Sequence, residues 1–171
     1  LNGEREFLSR FQTVLSAVLS VCNDRQMSFR ATAVKSIAGI IDANPALLGE
    51  SEICKVVRER RLDISVSVRH AIIDLVGNYI LYQPEFVAQY YDMIVDRIAD
   101  TGVSVRKRVI KILMNICTQD PSNPLVVSIC SKLASRMNDE ESIRSIVLRT
   151  FQDLWFNNSN KIKQSDIDTK L

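Results

Sequence analysis

Four short segments at near-constant spacing constrain this chain more than anything else in it. Each holds an acid, a short loop, an apolar residue and then an arginine. They read Asp24-Arg-Gln-Met-Ser-Phe-Arg30, Asp63-Ile-Ser-Val-Ser-Val-Arg69, Asp100-Thr-Gly-Val-Ser-Val-Arg106 and Asp139-Glu-Glu-Ser-Ile-Arg144. The arginines are 39, 37 and 38 residues apart. The positions that follow them repeat as well. Four residues on stand Val34, Ile73, Ile110 and Leu148; seven on, Ile37, Val76, Leu113 and Phe151; eleven on, Ile41, Ile80, Cys117 and Trp155. Offsets of four, seven and eleven fall on one helical face, so each arginine opens an amphipathic helix.

Other helices separate these four. The pattern predicts them over Phe7 to Val21, Glu52 to Leu62 after a short turn at Pro45 to Leu48, Pro84 to Ala99, and Pro124 to Met137. Pro84 suits a helix start, where its missing N–H costs nothing. Composition agrees: five glycines and four prolines in 171 residues are too few for the turns of a β-sandwich or barrel. The predicted fold is all-α, a right-handed α-solenoid of about four HEAT-type helix-turn-helix repeats. The period is closer to HEAT and armadillo units than to tetratricopeptide or ankyrin units. The repeats are placed at about 3–42, 43–82, 83–120 and 121–156, with residues 157–171 a polar loop or tail.

Turning about 100° per residue places Arg106 inside the arc of Val105, Val109, Ile112 and Leu113, and Arg69 inside that of Ile72, Ile73 and Val76. A guanidinium there is desolvated and needs hydrogen-bonded partners. The Asp one loop upstream is the expected acceptor, and it stands where a helix N-cap belongs. Asp24, Arg30, Asp63, Arg69, Asp100, Arg106, Asp139 and Arg144 are therefore read as a structural ladder tying repeat to repeat, not as a phosphate site.

Candidate binding residues lie elsewhere. Lys107, Arg108 and Lys111 share the polar arc of one helix, where like charges three and four residues apart repel. The position five after each ladder arginine holds Lys35, Asp74, Lys111 and Arg149, a basic stripe with one interruption. Arg58, Arg60 and Arg61 form a second cluster at a helix end, where cations also suit the dipole. Such surfaces fit DNA phosphates or an acidic partner. The balance of 22 basic and 20 acidic residues means that any such contact is local.

Chemistry-bearing patterns are scarce. Cys22, Cys54, Cys117 and Cys130 form no Cys-x-x-Cys pair, and there is one histidine, so no metal site or cofactor is expected. The cysteines read as small buried residues in a reducing compartment. His70 and Asp74, one turn apart, resemble two members of a triad without a nucleophile turn, and no catalytic residues are assigned. Asp139, Glu140 and Glu141 suit a helix start, and Tyr90-Tyr91 reads as core plus rim. The glycines are isolated and build no phosphate loop. The longest uncharged run, Phe11 to Asn23, is too short to cross a membrane, and the opening residues do not read as a secretory signal.

The stretch from Gln89 to Leu113, above all Val105-Arg-Lys-Arg-Val-Ile-Lys111, resembles the HEAT-repeat region of the Nipped-B-like cohesin loaders, the sister chromatid cohesion proteins. Ser67-Val-Arg-His-Ala-Ile-Ile-Asp-Leu-Val-Gly77, Met137-Asn-Asp-Glu-Glu and Phe151-Gln-Asp-Leu-Trp-Phe156 agree in order and spacing. The chain departs from the family at His70-Ala-Ile, on the polar arc, where relatives usually carry Ala-Ala-Val. The resemblance covers about Arg30 to Phe156. It implies an internal piece of a much longer, nuclear, chromatin-associated protein that is not an enzyme. Such a protein loads cohesin onto chromosomes and stimulates the cohesin ATPase. The implied partners are the cohesin complex, through its kleisin and SMC ATPase subunits, with double-stranded DNA as a second candidate. The small loader partner subunit would bind a region that this chain does not resemble. The rival reading is a HEAT scaffold of a trafficking or transport complex without a DNA role.

Overall fold

The structure, a computed structural model, describes residues 2–80 and 83–157. Eight α-helices follow one another, and no strand occurs among the described residues. They are α1 (Asn2–Val21), α2 (Met27–Ala43), α3 (Ser51–Arg60), α4 (Val66–Tyr79), α5 (Pro84–Asp96), α6 (Val103–Gln119), α7 (Val126–Ala134) and α8 (Glu141–Gln152). Short 3-10 turns at Pro45–Gly49 and Arg97–Ala99 and a π turn at Asp153–Asn157 complete the order. The tail expected at residues 157–171 lies, from residue 158 on, outside the described residues.

The chain divides into two compact units, residues 1–93 and 94–171. In the first, α2 packs on α1 and α4, and α3 packs on α1 and α4. First helices thus lie beside first helices, and second helices beside second helices. In the second unit α6 packs on α7 and α8.

The helices differ from their predicted spans at the ends, for local reasons. The first helix starts at Asn2, several residues before the apolar pattern begins, because polar residues propagate a helix without leaving a periodic signal. α5 ends as an α-helix at Asp96 and tightens into the 3-10 turn at Arg97–Ala99. α7 is shorter than predicted at both ends. Asn123 Oδ1 accepts the Leu125 N–H at 3.0 Å before it, and the Arg136 and Met137 N–H groups bond three residues back, to Leu133 and Ala134, after it.

Burial separates two flanks on the second helices. On the flank four, seven and eleven residues after the ladder arginine, Val34, Ile37 and Ile41, then Ile73, Val76 and Ile80, then Ile110, Leu113 and Cys117 are buried. The other flank buries Val68, Ile72 and Leu75 in α4, Val105, Val109 and Ile112 in α6, and Ile143, Val147 and Thr150 in α8. Helices α4 and α6 are therefore buried on both flanks. The fourth repeat departs from the expected pattern: Leu148 is 43% and Trp155 59% exposed, and Phe151 is half-buried. Among the described residues no further second helix lies against their flank, and Phe151 stacks on Trp155 with ring centroids 4.8 Å apart. The corresponding open flank of α2 shows as Phe29, 50% exposed.

The two kinds of ladder arginine should separate in denaturation. Arg30→Ala removes a buried cation from a buried carboxylate and should cost about 3–5 kcal/mol. Arg144→Ala, on the surface, should stay within about 0.5 kcal/mol. Urea unfolding of both variants checks this, and equal shifts would refute it.

Candidate partner-binding surface

The loop before each of α2, α4 and α6 is built on its aspartate. Asp24 Oδ1 accepts the Gln26 N–H at 2.7 Å, Asp63 Oδ1 the Ser65 N–H at 2.9 Å, and Asp100 Oδ1 the Gly102 N–H at 2.7 Å. The aspartate is thus not the helix cap expected from its spacing. Gln26, Ser65 and Gly102 are the cap residues, and the aspartate stands two residues ahead, closing an Asx turn.

The arginine six residues on folds back over that turn. Arg30 Nη1 donates to the carbonyls of Asp24 and Arg25 at 2.9 and 3.1 Å. Arg69 Nη1 donates to those of Asp63 and Ile64 at 2.7 and 3.1 Å, and Arg106 Nη1 to those of Asp100 and Thr101 at 2.7 and 3.4 Å. The upstream aspartate therefore offers Arg30 and Arg106 its carbonyl, not the carboxylate expected from the sequence. The carboxylate comes from the following loop. Arg30 Nε and Nη2 bind Asp63 Oδ2 and Oδ1 at 2.7 and 2.6 Å, and Arg106 Nη2 binds Asp139 Oδ1 at 3.1 Å. A six-residue reach allows only the short turn itself. The second fork of the guanidinium points away from it, toward the next loop.

A second series of arginines escaped the sequence reading. Arg60, Arg97 and Arg136 each stand three residues before a ladder aspartate, and approach it at 3.2, 3.5 and 3.8 Å. Their spacings of 37 and 39 match those of the acids, a signal available in the sequence. Arg60, proposed as a binding residue, is thereby engaged with Asp63. The fourth rung also departs from the ladder: Arg144 is exposed and pairs with Glu141 on its own helix. Glu140 lies 3.6 Å from Arg106, so the acids at 139–141 are partnered carboxylates.

Burial raises the Asp63 carboxyl, but the Arg30 and Arg60 guanidinium groups and the Ser65 N–H outweigh it and hold it below the usual range. Burial pushes the Cys22 thiol up to about 11 and the Cys117 thiol up to about 12. Burial likewise raises Tyr79 and Tyr90, with hydrogen bonds from Tyr79 Oη to Asp42 and between Tyr90 Oη and Cys54 Sγ adding to it. These thiols are protonated at neutral pH and poorly suited to nucleophilic attack. No group of three or more metal-ligating side chains occurs among the described residues, and no described helix is long and apolar enough to cross a membrane.

The remaining cations lie on the surface. Lys111, Lys35, Arg149 and Arg58 are exposed, and Lys107, Arg108 and Arg61 are half-buried. Lys107 and Lys111 sit one turn apart on α6, and Arg149 lies on α8, which packs against α6. Lys35 belongs to α2 in the other unit. His70 and Asp74, both half-buried, lie on α4.

Paired helices joined by Asp–Arg rungs, with no strand among the described residues, define a HEAT-type helical repeat. Comparison with known proteins makes this specific. The family described as "Sister chromatid cohesion protein PDS5 protein" matches residues 58–170, and "HEAT repeat associated with sister chromatid cohesion" matches residues 35–76. The chain is 41% identical over 156 residues to the human Nipped-B-like protein, spanning 91% of this chain and 6% of that protein. It is 38% identical over 171 residues to the Drosophila melanogaster Nipped-B protein, 100% of this chain and 8% of that one. Its structure superposes on the C-terminal fragment of the Chaetomium thermophilum cohesin loader SCC2 with a TM-score of 0.74 at 26% identity, over 88% of this chain and 12% of that one. The chain belongs to the Nipped-B/Scc2 cohesin loader family, within its HEAT-repeat region. It spans less than a tenth of the length of these curated relatives.

The Asp63 site predicts an acid dependence of stability. Its folded pKa lies below its unfolded value of about 3.9. Its contribution is therefore complete above that pH and lost as pH falls through the folded value. Asp63→Asn should lower the urea midpoint at neutral pH and flatten the decline below about pH 4. An unchanged acid limb would refute the assignment.

Proposed function

We propose that this chain is a non-catalytic scaffold segment of a cohesin loader, acting on chromatin in the nucleus. It helps load cohesin onto chromosomal DNA and stimulate the cohesin ATPase by presenting a rigid surface to cohesin's kleisin or SMC ATPase subunits, to duplex DNA, or to both. The observation that carries this is the identity to cohesin loaders along nearly the whole chain. The matching family descriptions speak of sister chromatid cohesion and the similar solved structure is a cohesin loader, which favours this reading over a trafficking scaffold. Four repeats, at about 3–42, 43–82, 83–120 and 121–156, form the framework.

The contact surface is the basic face of α6, Lys107, Arg108 and Lys111, joined by Arg149 on α8; in the other unit Lys35 holds the equivalent position of α2 and is a separate candidate contact. Neither Lys107 nor Lys111 has an ion pair among the described residues, so the repulsion between them is not relieved within the chain. A polyanion would relieve it. Each phosphate neutralised releases condensed counterions, giving a salt slope of about −0.9 per contact.

Fluorescence anisotropy with a labelled duplex at two salt concentrations tests the DNA arm, and pull-down of purified kleisin and SMC subunits tests the protein arm. Lys107→Glu with Lys111→Glu should leave circular dichroism unchanged. It should also weaken one of these interactions at least tenfold, with the DNA slope shallower by about two units if DNA is the ligand. Unchanged binding in both arms would return these lysines to an ordinary solvated face.

A further inference from the structure

The end of α3 and the last turns of α5 within the first unit enclose a cleft of about 210 Å³. Its floor is buried and largely apolar: Cys54 and Met93 are each 6% exposed and Tyr90 3%. The floor is also fixed. Cys54 Sγ donates to the Leu48 carbonyl at 3.2 Å, Tyr90 Oη donates to the same carbonyl at 3.1 Å, and Gln89 Nε2 reaches the sulfur at 3.5 Å. One wall is cationic, formed by Arg58 and Arg61. Both differ from their neighbour Arg60, which is bound to Asp63. Neither guanidinium group has an ion pair or hydrogen bond among the described residues, and Arg61 Nε is buried without an acceptor. Among the described residues, the one carboxylate lining the cleft is Asp92.

Two unpaired guanidinium groups one helical turn apart, over an apolar floor, call for an anion carried on an apolar stem. We propose that this cleft receives an acidic side chain of a partner protein, a glutamate or aspartate within an extended segment, with its carboxylate on Arg58 and Arg61 and its stem against Tyr90 and Met93. Duplex DNA fits less well. A phosphate backbone carries its charges along a wide rod, whereas this cleft is narrow, apolar at the bottom and holds a carboxylate of its own. The inference deepens the scaffold reading by naming a partner chemistry, and it uses a surface other than the α6 face.

The test is fluorescence anisotropy on the whole chain with three labelled probes: a peptide of glutamates spaced by serine and leucine, the same peptide with glutamine for glutamate, and a DNA duplex. The glutamate peptide should bind. Its affinity should fall at least tenfold with Arg58→Gln/Arg61→Gln, and equally when glutamine replaces glutamate. Asp92→Asn removes the opposing charge and should tighten binding severalfold, a gain that damaged folding cannot produce. Arg144→Gln removes an exposed cation that belongs to neither surface and should leave peptide binding unchanged, while duplex binding should survive Arg58→Gln/Arg61→Gln, so this site and the α6 face fail independently. Three results overturn the proposal: no peptide binding, peptide binding insensitive to the arginine pair, or loss of duplex rather than peptide binding in the arginine variant.

Discussion

A guanidinium that satisfies two loops at once is the constraint on which the rest of this structure depends. Arg30 lies 7% exposed, where an unpaired charge would be prohibitive. One nitrogen closes the turn ahead of its own helix. The other fork grips the carboxylate of the next turn, 33 residues on. Asp63 is in turn committed to a backbone N–H and to a second arginine, so neither partner keeps an unpaired charge. Such a pair adds little net stability against apolar residues of the same volume. Its value is register: the next loop fits only where its carboxylate meets the fork.

The register organises the apolar packing. With the loops fixed, α2 and α4 pack flank to flank within the first unit, and α6 and α8 within the second. Both flanks of α4 and α6 are buried, while α2 and α8 each keep one open. Stability in such an array comes from each unit and its nearest neighbours, so the polar outer face contributes little to folding. That leaves it available for recognition, and it is where Lys107 and Lys111 stand without an ion pair among the described residues.

Much of this was legible in one sequence because a repeat is read several times over. Helix identity, their order and the buried flank of the first three repeats followed from apolar offsets. The basic face of α6 followed from the same wheel. The harder parts were those in which residues close in sequence are not the ones that meet. Asp24 and Arg30 share a segment, yet the carboxylate that Arg30 binds is Asp63. Arg60 looked like one of three surface cations, and only the fold separates it from Arg58 and Arg61. Leu148 and Trp155 carry the core pattern but face outward, since periodicity marks a face as apolar without saying what covers it.

The sequence by itself determined the helical repeat, its period, the identity of the ladder residues and the family, because local propensity and spacing write these along the chain. Tertiary structure alone decided which carboxylate each arginine receives, which arginines are left without a partner, and where an apolar floor lies beneath a cationic wall. Those outcomes depend on distances between segments some 30 to 40 residues apart. A linear pattern constrains such distances only after the helices have packed.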